Sequence, residues 1–185
     1  MISDIELDST CYDGFERIDN MKVNNHQYQD HFVIRKARVE DAALILDFIK
    51  ALAIYEHLEH AVTATIEGIQ SSIFGRNEAE VIIGELKGNP VCFALFYSNY
   101  STFLGKSNLF LEDLFVLEAY RGLGFGKAMF TYIAQLAVER GCERLDWMCL
   151  DWNTPAINFY NSLGATHKKE WTLFRLEHES LKKIG

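Results

Sequence analysis

The sequence has no excess of positive charge and no cysteine pattern typical of a metal site. Its 185 residues include 18 Lys and Arg against 26 Asp and Glu, which gives a formal net charge of -8. Nucleic-acid binding needs basic side chains that neutralise phosphates, so this composition argues against a nucleic-acid partner and fits a small cationic partner better. The four cysteines form no CxxC pair and no histidine lies at zinc-site spacing from them, so we predict no metal.

Long apolar runs are absent as well. No stretch approaches the roughly 18 residues that a membrane-spanning helix requires. The first residues, MISDIELDST, contain neither the basic part nor the apolar part of a signal peptide. The sequence therefore predicts a protein of the reducing cytoplasm with no membrane partner.

Residues 1–30 differ in composition from the rest of the chain. They are rich in Asp, Asn and Glu, show no sustained periodicity and carry a disproportionate share of the negative charge. We interpret them as an acidic N-terminal extension that is partly disordered or lies over the surface of the domain. A single well-buried domain is predicted over residues 31–185.

The hydrophobic pattern predicts a mixed α/β sheet. Apolar alternation and short apolar runs predict strands, whereas a period of 3.6 residues with helix-end signals predicts helices. The strands are predicted at 31–38, in both arms of a hairpin at 79–100, and at 107–120, 142–152 and 165–178; the helices are predicted at 39–60, 65–74, 126–140 and 154–164. The hairpin makes the early sheet antiparallel, and the helix between the strands at 107–120 and 142–152 predicts a parallel βαβ crossover.

A glycine-rich loop, YRGLGFGKA (residues 120–128), precedes the third of these helices. It is not a P-loop, because Arg121 stands in place of the first glycine and Ala128 replaces the hydroxyl that binds Mg²⁺. Its G-x-G-x-G spacing also departs from the dinucleotide fingerprint. Arg-x-x-Gly-x-Gly does fit Arg121, Gly124 and Gly126, and such a loop can hold a pyrophosphate without a metal through backbone N–H groups, a helix N-terminus and the arginine charge. The alternative is a glycine turn that only joins a strand to a helix.

Two acids, Glu112 and Asp113, interrupt the apolar strand LFLEDLFV. A central strand rarely buries a carboxylate without a use for it. Successive residues of a strand point to opposite faces, so we expect the two acids on opposite faces of the sheet. For Asp113, a functional carboxylate and a structural ion-pair partner are equally open interpretations.

LEDLFVLEAYRGLGFGKAMF, followed by DWNTPAINFYNSLGA, resembles the GNAT superfamily of N-acetyltransferases. FVIRKARVEDAALILDFIKALAIYEHLEH and EWTLFRL extend the resemblance to the diamine acetyltransferases, which acetylate spermidine, spermine or thialysine, and it covers residues 32–182. The resemblance implies the GNAT fold, an α/β architecture with a mixed, mostly antiparallel sheet, a parallel βαβ core that binds acetyl-CoA, and helices on both faces. It also implies acetyl-CoA as cosubstrate, direct transfer to a primary amine of a small cationic substrate, and a homodimer.

The resemblance assigns roles to individual residues. Glu112 would accept the amine proton and Tyr160 would donate a proton to the thioester sulfur, although a tyrosine at such a helical position is also a common core residue. The implied cofactor-binding residues are Leu114, Phe115, Val116, Arg121, Gly122, Leu123, Gly124, Phe125, Gly126, Lys127, Asn153, Pro155 and Ala156. The implied amine-binding residues are Tyr55, Glu56, Glu112, Asp113, Asp146, Trp147 and Trp171. For Trp171, packing in the core is an equal alternative.

Two other functions stay open. One is acetylation of a protein or peptide amine, and the other is a non-catalytic acyl-CoA-binding module on the same fold. A peptide substrate calls for an open groove, whereas the acids near Tyr55 and Glu112 suit a compact cation. The presence of both Glu112 and Tyr160 favours an enzyme over a binding module.

Overall fold

The computed structural model describes residues 31–185, and the predicted acidic extension, residues 1–30, lies outside the described residues. The described residues divide into two compact units, the first ending at Met148 and the second spanning Cys149–Gly185.

The first unit contains one five-stranded sheet. Its strands are β1 (Phe32–Lys36), β2 (Glu80–Leu86), β3 (Asn89–Ser101), β4 (Lys106–Val116) and β5 (Leu145–Trp147), and they lie in this order across the sheet. Neighbouring strands are antiparallel except β4 and β5, which are parallel. The β2–β3 hairpin turns at Lys87 and Gly88, whose φ values of 53° and 77° fit the primed turn that hairpins favour. The predicted mixed sheet with a parallel βαβ crossover is confirmed.

The helices of the first unit follow the predicted pattern with shifted ends. They are α1 (Ala42–Glu56), α2 (Ile66–Ile69), which continues into a π-helical turn at Gln70–Gly75, and α3 (Phe125–Glu139). Helix α1 ends earlier than predicted because His57 adopts a left-handed conformation with a φ of 60°. Within the described part of the chain, no helix has the length and apolarity needed to cross a membrane.

Helices cover both faces of the sheet, as predicted. On one face, Phe48 of α1 stacks on Phe93 of β3 with the ring centroids 5.1 Å apart, inside a buried apolar cluster. On the other face, Phe125 of α3 stacks on Phe32 of β1 at 4.5 Å. We refer to these as the α1 face and the α3 face.

The second unit contains two helices, α4 (Thr154–Ser162) and α5 (His178–Ile184). The strand predicted over 165–178 is wrong, because residues 165–177 form no strand and α5 begins at His178. The side chains of this segment are exposed, Phe174 to 89%. A strand forms only by pairing with a neighbour, and the apolar alternation that predicted it has no partner strand in this unit.

Candidate active site

A β-bulge brings the two acids of β4 to the same face of the sheet. In the β3–β4 ladder Leu95 pairs with Asp113 and Tyr97 pairs with Phe110, so β4 has one more residue than β3 in this interval, and Glu112 has no residue opposite it. Leu95 packs against the buried cluster of the α1 face, and Tyr97 shares its face. Asp113 lies on this face through its pairing with Leu95, and Glu112 lies there because it follows Phe110 by two residues. The expectation of opposite faces is therefore wrong.

A third carboxylate joins them from the end of α1. Burial first, and then the charges of Glu112 and Glu56, raise the pKa of Asp113 to about 7. Burial also raises the pKa of Glu56. Among residues 31–185, neither Lys nor Arg forms an ion pair with any of the three. In Glu56, Glu112 and Asp113, called here the acid cluster, no carboxylate therefore has an ion-pair partner among the described residues.

Tyr97 is a residue of this site that the sequence analysis missed. Its pKa is raised by burial, by the charge of Glu112 and by a hydrogen bond to that carboxylate. The tyrosine hydroxyl donates this bond, so Tyr97 restrains Glu112 from the neighbouring strand. The alternation in VCFALFY could have placed Tyr97 on the face of Leu95, but its contact with Glu112 depends on the strand register and the bulge.

The glycine loop is built around two left-handed residues. Gly122 and Gly124 have φ values of 75° and 95°, which side-chain-bearing residues rarely adopt, and Gly124 immediately precedes α3. Gly126 differs, because it is helical and a Cβ placed there would lie 3.5 Å from Cγ2 of Val116. The loop leads into the N-terminal turn of α3, whose first backbone N–H groups have no acceptor within the helix. Such an arrangement can bind the negative charge of a pyrophosphate.

The end of β4 offers backbone groups beside this loop. Strand β5 pairs with β4 only along Leu109–Leu111, so within the described sheet residues 112–116 have no strand on that side. An extended ligand could form hydrogen bonds there with the backbone of Leu114–Val116, the residues of β4 that were predicted to bind the cofactor. The carbonyl of Val116 already accepts a hydrogen bond from Nε of Arg121 at 3.0 Å. Phe125 is 1% exposed, so only its backbone could take part in binding.

The two predicted residues of β5 lie on different faces. Asp146 pairs with Phe110 and thus lies on the α1 face, where its carboxylate forms an ion pair with Arg144 at 2.9 Å. Trp147 packs edge to face against Phe130 of α3, with the ring centroids 5.1 Å apart. The structure therefore places Trp147 on the face opposite the acid cluster.

Tyr55 links the end of α1 to the glycine loop. The guanidinium carbon of Arg121 lies 4.5 Å from the centroid of the Tyr55 ring and 5.4 Å from that of Phe115. The rings of Tyr55 and Phe115 are themselves 6.5 Å apart. A residue predicted to bind the amine is thus in contact with one predicted to bind the pyrophosphate.

The remaining predicted residues belong to the second unit. Asn153 is buried and caps α4, since its Oδ1 accepts a hydrogen bond from the backbone N–H of Ala156 at 3.2 Å; Pro155 lies in the same first turn. Tyr160 is half-buried on α4, with its ring 5.2 Å from that of Phe159. Trp171 is 72% exposed, so it is not a core residue.

Comparison with known proteins identifies the family. The family model described as Acetyltransferase (GNAT) family matches residues 43–165. The chain belongs to the GNAT acetyltransferase family. A thialysine N-epsilon-acetyltransferase of Mus musculus is 37% identical over 164 residues, which is 82% of this chain and 96% of that protein. An L-ornithine N5-acetyltransferase of Arabidopsis thaliana is 31% identical over 197 residues, which is 82% of this chain and 86% of that protein.

Solved structures agree on the fold. An integron cassette protein from the mobile metagenome of V. cholerae superposes with a TM-score of 0.70 at 22% identity, covering 83% of this chain and 97% of that one. As a GNAT member the protein is an N-acetyltransferase, and the family uses acetyl-CoA. The glycine loop, the start of α3 and the unpaired side of β4 fit the pyrophosphate and pantetheine parts of that molecule. Nowhere in residues 31–185 do three His, Cys, Asp or Glu side chains group as metal ligands.

Proposed function

We propose that this GNAT enzyme transfers the acetyl group of acetyl-CoA to a primary amine of a small di- or polyamine, or of a lysine-like amine such as thialysine. The observation that carries the proposal is the acid cluster. Its three carboxylates lie together at the end of α1 and on the bulge of β4, without a basic partner among the described residues. A bound ammonium ion would supply the missing charge.

The number of carboxylates favours a substrate with more than one amino group. A lysine-like amine has a pKa of about 10.4 and must lose a proton before it attacks, so the reacting nitrogen is neutral at that moment. A second ammonium group stays charged throughout the reaction. Glu56 and Asp113 could then hold that second group while Glu112 serves the reacting one.

The reaction needs one proton acceptor and one proton donor. The amine nitrogen forms a bond to the thioester carbonyl carbon, the C–S bond breaks, and the sulfur leaves with a proton. We assign Glu112 as the acceptor of the amine proton, directly or through water, with Tyr97 holding its carboxylate. Tyr160 is the proposed donor to the sulfur, as the resemblance implies.

The test is a thiol-release assay with acetyl-CoA and a panel of amines: spermidine, spermine, 1,3-diaminopropane, thialysine, ornithine, lysine and a lysine-containing peptide. A small di- or polyamine or a lysine-like amine should give the highest kcat/KM. Glu112→Gln and Tyr160→Phe should each lower kcat by roughly 10²- to 10⁴-fold, the usual contribution of a general acid or base. Glu67→Gln, at an exposed acid of α2, is the matched control and should leave kcat unchanged.

Three results would contradict the proposal in different ways. Tight acetyl-CoA binding without turnover of any amine would refute small-amine acetylation. A preference for the peptide would indicate a protein acetyltransferase. Full activity of Glu112→Gln across pH would remove the role of that carboxylate while leaving the substrate class intact.

We also propose that the enzyme is a homodimer located in the cytoplasm. The dimer is supported by four large apolar side chains of the second unit, each more than half exposed: Trp171, Leu173, Phe174 and Leu176. Light scattering should give twice the chain mass, and a Leu173→Ser/Phe174→Ser variant should give the monomer mass. The free thiols of Cys92 and Cys142 support a reducing compartment, which cell fractionation tests.

A further inference from the structure

The contact between Tyr55 and Arg121 connects two sites that the sequence analysis treated as separate. We propose that Tyr55 is a positioning residue for the cofactor: its ring holds the guanidinium of Arg121 where that group meets the pyrophosphate of acetyl-CoA. This inference deepens the proposed function and rests on it. It moves Tyr55 from the amine site to the cofactor site.

Three contacts fix the guanidinium of Arg121. Its carbon lies 4.5 Å from the ring centroid of Tyr55 and 5.4 Å from that of Phe115. Its Nε donates to the carbonyl of Val116 at 3.0 Å. Two aromatic rings and one carbonyl therefore hold an arginine that is otherwise exposed to solvent.

The hydrogen bonding of Arg121 leaves its outer edge available. A guanidinium has five N–H donors, and only the one on Nε has an acceptor among the described residues. The other four belong to the two terminal amino groups, the fork that binds paired phosphate oxygens. The observed contacts thus involve Nε and the flat face of the guanidinium. The two terminal amino groups, which form its phosphate-binding edge, have no acceptor among the described residues.

Of the two rings, Tyr55 is the better target for substitution, because it packs against the core cluster of the α1 face but is not fully buried. Phe115 is 6% exposed and belongs to the core cluster of the α1 face, so replacing it would disturb the fold. Tyr55 is half-buried at the end of α1 and supplies a flat surface for the guanidinium. An exposed arginine loses side-chain entropy when it binds phosphate, and a stacking partner that already restrains it lowers this cost.

The same contact argues against Tyr55 as a site for the amine. The face of the ring that Arg121 covers already interacts with a positive charge. A substrate ammonium on that face would meet a like charge within a few ångströms, which is unfavourable. Glu56, the next residue, interacts instead with Asp113 of the acid cluster. Consecutive residues of α1 therefore serve different substrates.

Binding of CoA, measured by calorimetry, tests the proposal together with steady-state kinetics. Tyr55→Leu removes the aromatic face and should weaken CoA binding by roughly 2- to 5-fold, as expected for an exposed cation–π contact. Tyr55→Phe keeps the face and should bind CoA within twofold of the wild type. The KM for the amine should change less than twofold in both variants.

A double-mutant cycle with Arg121→Met separates positioning from a general structural effect. In the Arg121→Met background, Tyr55→Leu should weaken CoA binding no further. An equal loss in both backgrounds, or a raised amine KM with unchanged CoA affinity, would overturn the role of Tyr55. Wild-type protein that binds no CoA would refute both the proposed function and this inference. Wild-type protein that acetylates amines, together with a Tyr55→Leu variant that binds CoA normally, would refute this inference alone.

Discussion

Replacing Asp113 with asparagine should make the protein more stable at pH 8 and less active. The pKa of this carboxyl is raised from 3.8 to about 7, mainly by burial and then by the charges of Glu112 and Glu56. A carboxyl with a higher pKa in the folded state binds its proton more tightly there than in the unfolded chain. The free energy of unfolding therefore falls as pH rises from about 4 to about 7, and above that range the ionised side chain is a constant cost.

The size of this cost follows from the two pKa values. A difference of about 3 between folded and unfolded states corresponds to about 4 kcal/mol, which is an upper limit because Asp113 is only partly shielded from water. Asparagine has nearly the same shape and no charge. At pH 8 we expect Asp113→Asn to raise the free energy of unfolding by about 1–4 kcal/mol, and Tm by about 2–16 °C for a chain of this length. Near pH 4 the two proteins should have nearly equal Tm values.

Thermal unfolding between pH 4 and pH 8 measures this difference directly. Asp47→Asn, at an exposed acid of α1, is the matched control and should shift Tm by less than about 1 °C at every pH. Spermidine should raise the Tm of the wild type more than that of Asp113→Asn, because the variant lacks the negative charge at position 113 that the bound cation would offset. A lower Tm of Asp113→Asn at all pH values would refute the reasoning, because the carboxyl group would then stabilise the fold in both of its protonation states.

Three further predictions concern the acid cluster, the loop and the core. The kcat/KM for the amine should rise as pH passes about 7, where Asp113 ionises. Glu56→Gln should move this rise to lower pH, because removing a negative neighbour lowers the pKa of Asp113. An unchanged pH profile would contradict the effect of Glu56 on Asp113. Gly124→Ala should cost about 1 kcal/mol or more of stability and weaken CoA binding, since its φ is 95°, whereas Gly126→Ala meets only an ordinary contact at 3.5 Å and should be tolerated in both assays. Gly84→Ala should lower the free energy of unfolding in urea by about 1–3 kcal/mol, because its Cβ would lie 2.7 Å from a phenylalanine ring of β1; an unchanged urea midpoint would show that the ring can move aside.

The sequence predicted correctly those helices and turns whose end signals lie within one short segment. The α3 helix was expected at 126–140 and lies at Phe125–Glu139, because glycines mark both of its ends. The hairpin was predicted with its connection at residues 87–90; the structure turns at Lys87 and Gly88, which have positive φ values, and β3 already begins at Asn89. In both cases residues adjacent in sequence carry the whole physical reason for the structure.

Predictions failed where the structure depends on pairing between distant segments. The alternation of residues 165–178 is typical of a strand, but a strand also needs a neighbour, and the second unit offers none. Glu112 and Asp113 were expected on opposite faces from the regular alternation of a strand. The bulge that brings them to one face depends on how β3 and β4 align, and the sequence of β4 alone does not indicate it. The contact between Tyr55 and Arg121 joins the end of α1 to a loop far along the chain, and no local period indicates it.

Two pairs of neighbouring residues organise the site in opposite ways. On β4 the regular alternation would have separated Glu112 from Asp113, and the bulge brings both to one face, where burial and then the charge of Glu112 raise the pKa of Asp113. On α1 the helix turns by about 100° per residue, so the side chains of Tyr55 and Glu56 leave it in different directions. Tyr55 contacts Arg121, whereas the charge of Glu56 contributes to the raised pKa of Asp113. The left-handed His57 ends the helix directly after them. An added residue in α1 before Tyr55 would rotate both side chains together, so it should weaken amine and CoA binding at once, whereas single substitutions should affect them separately.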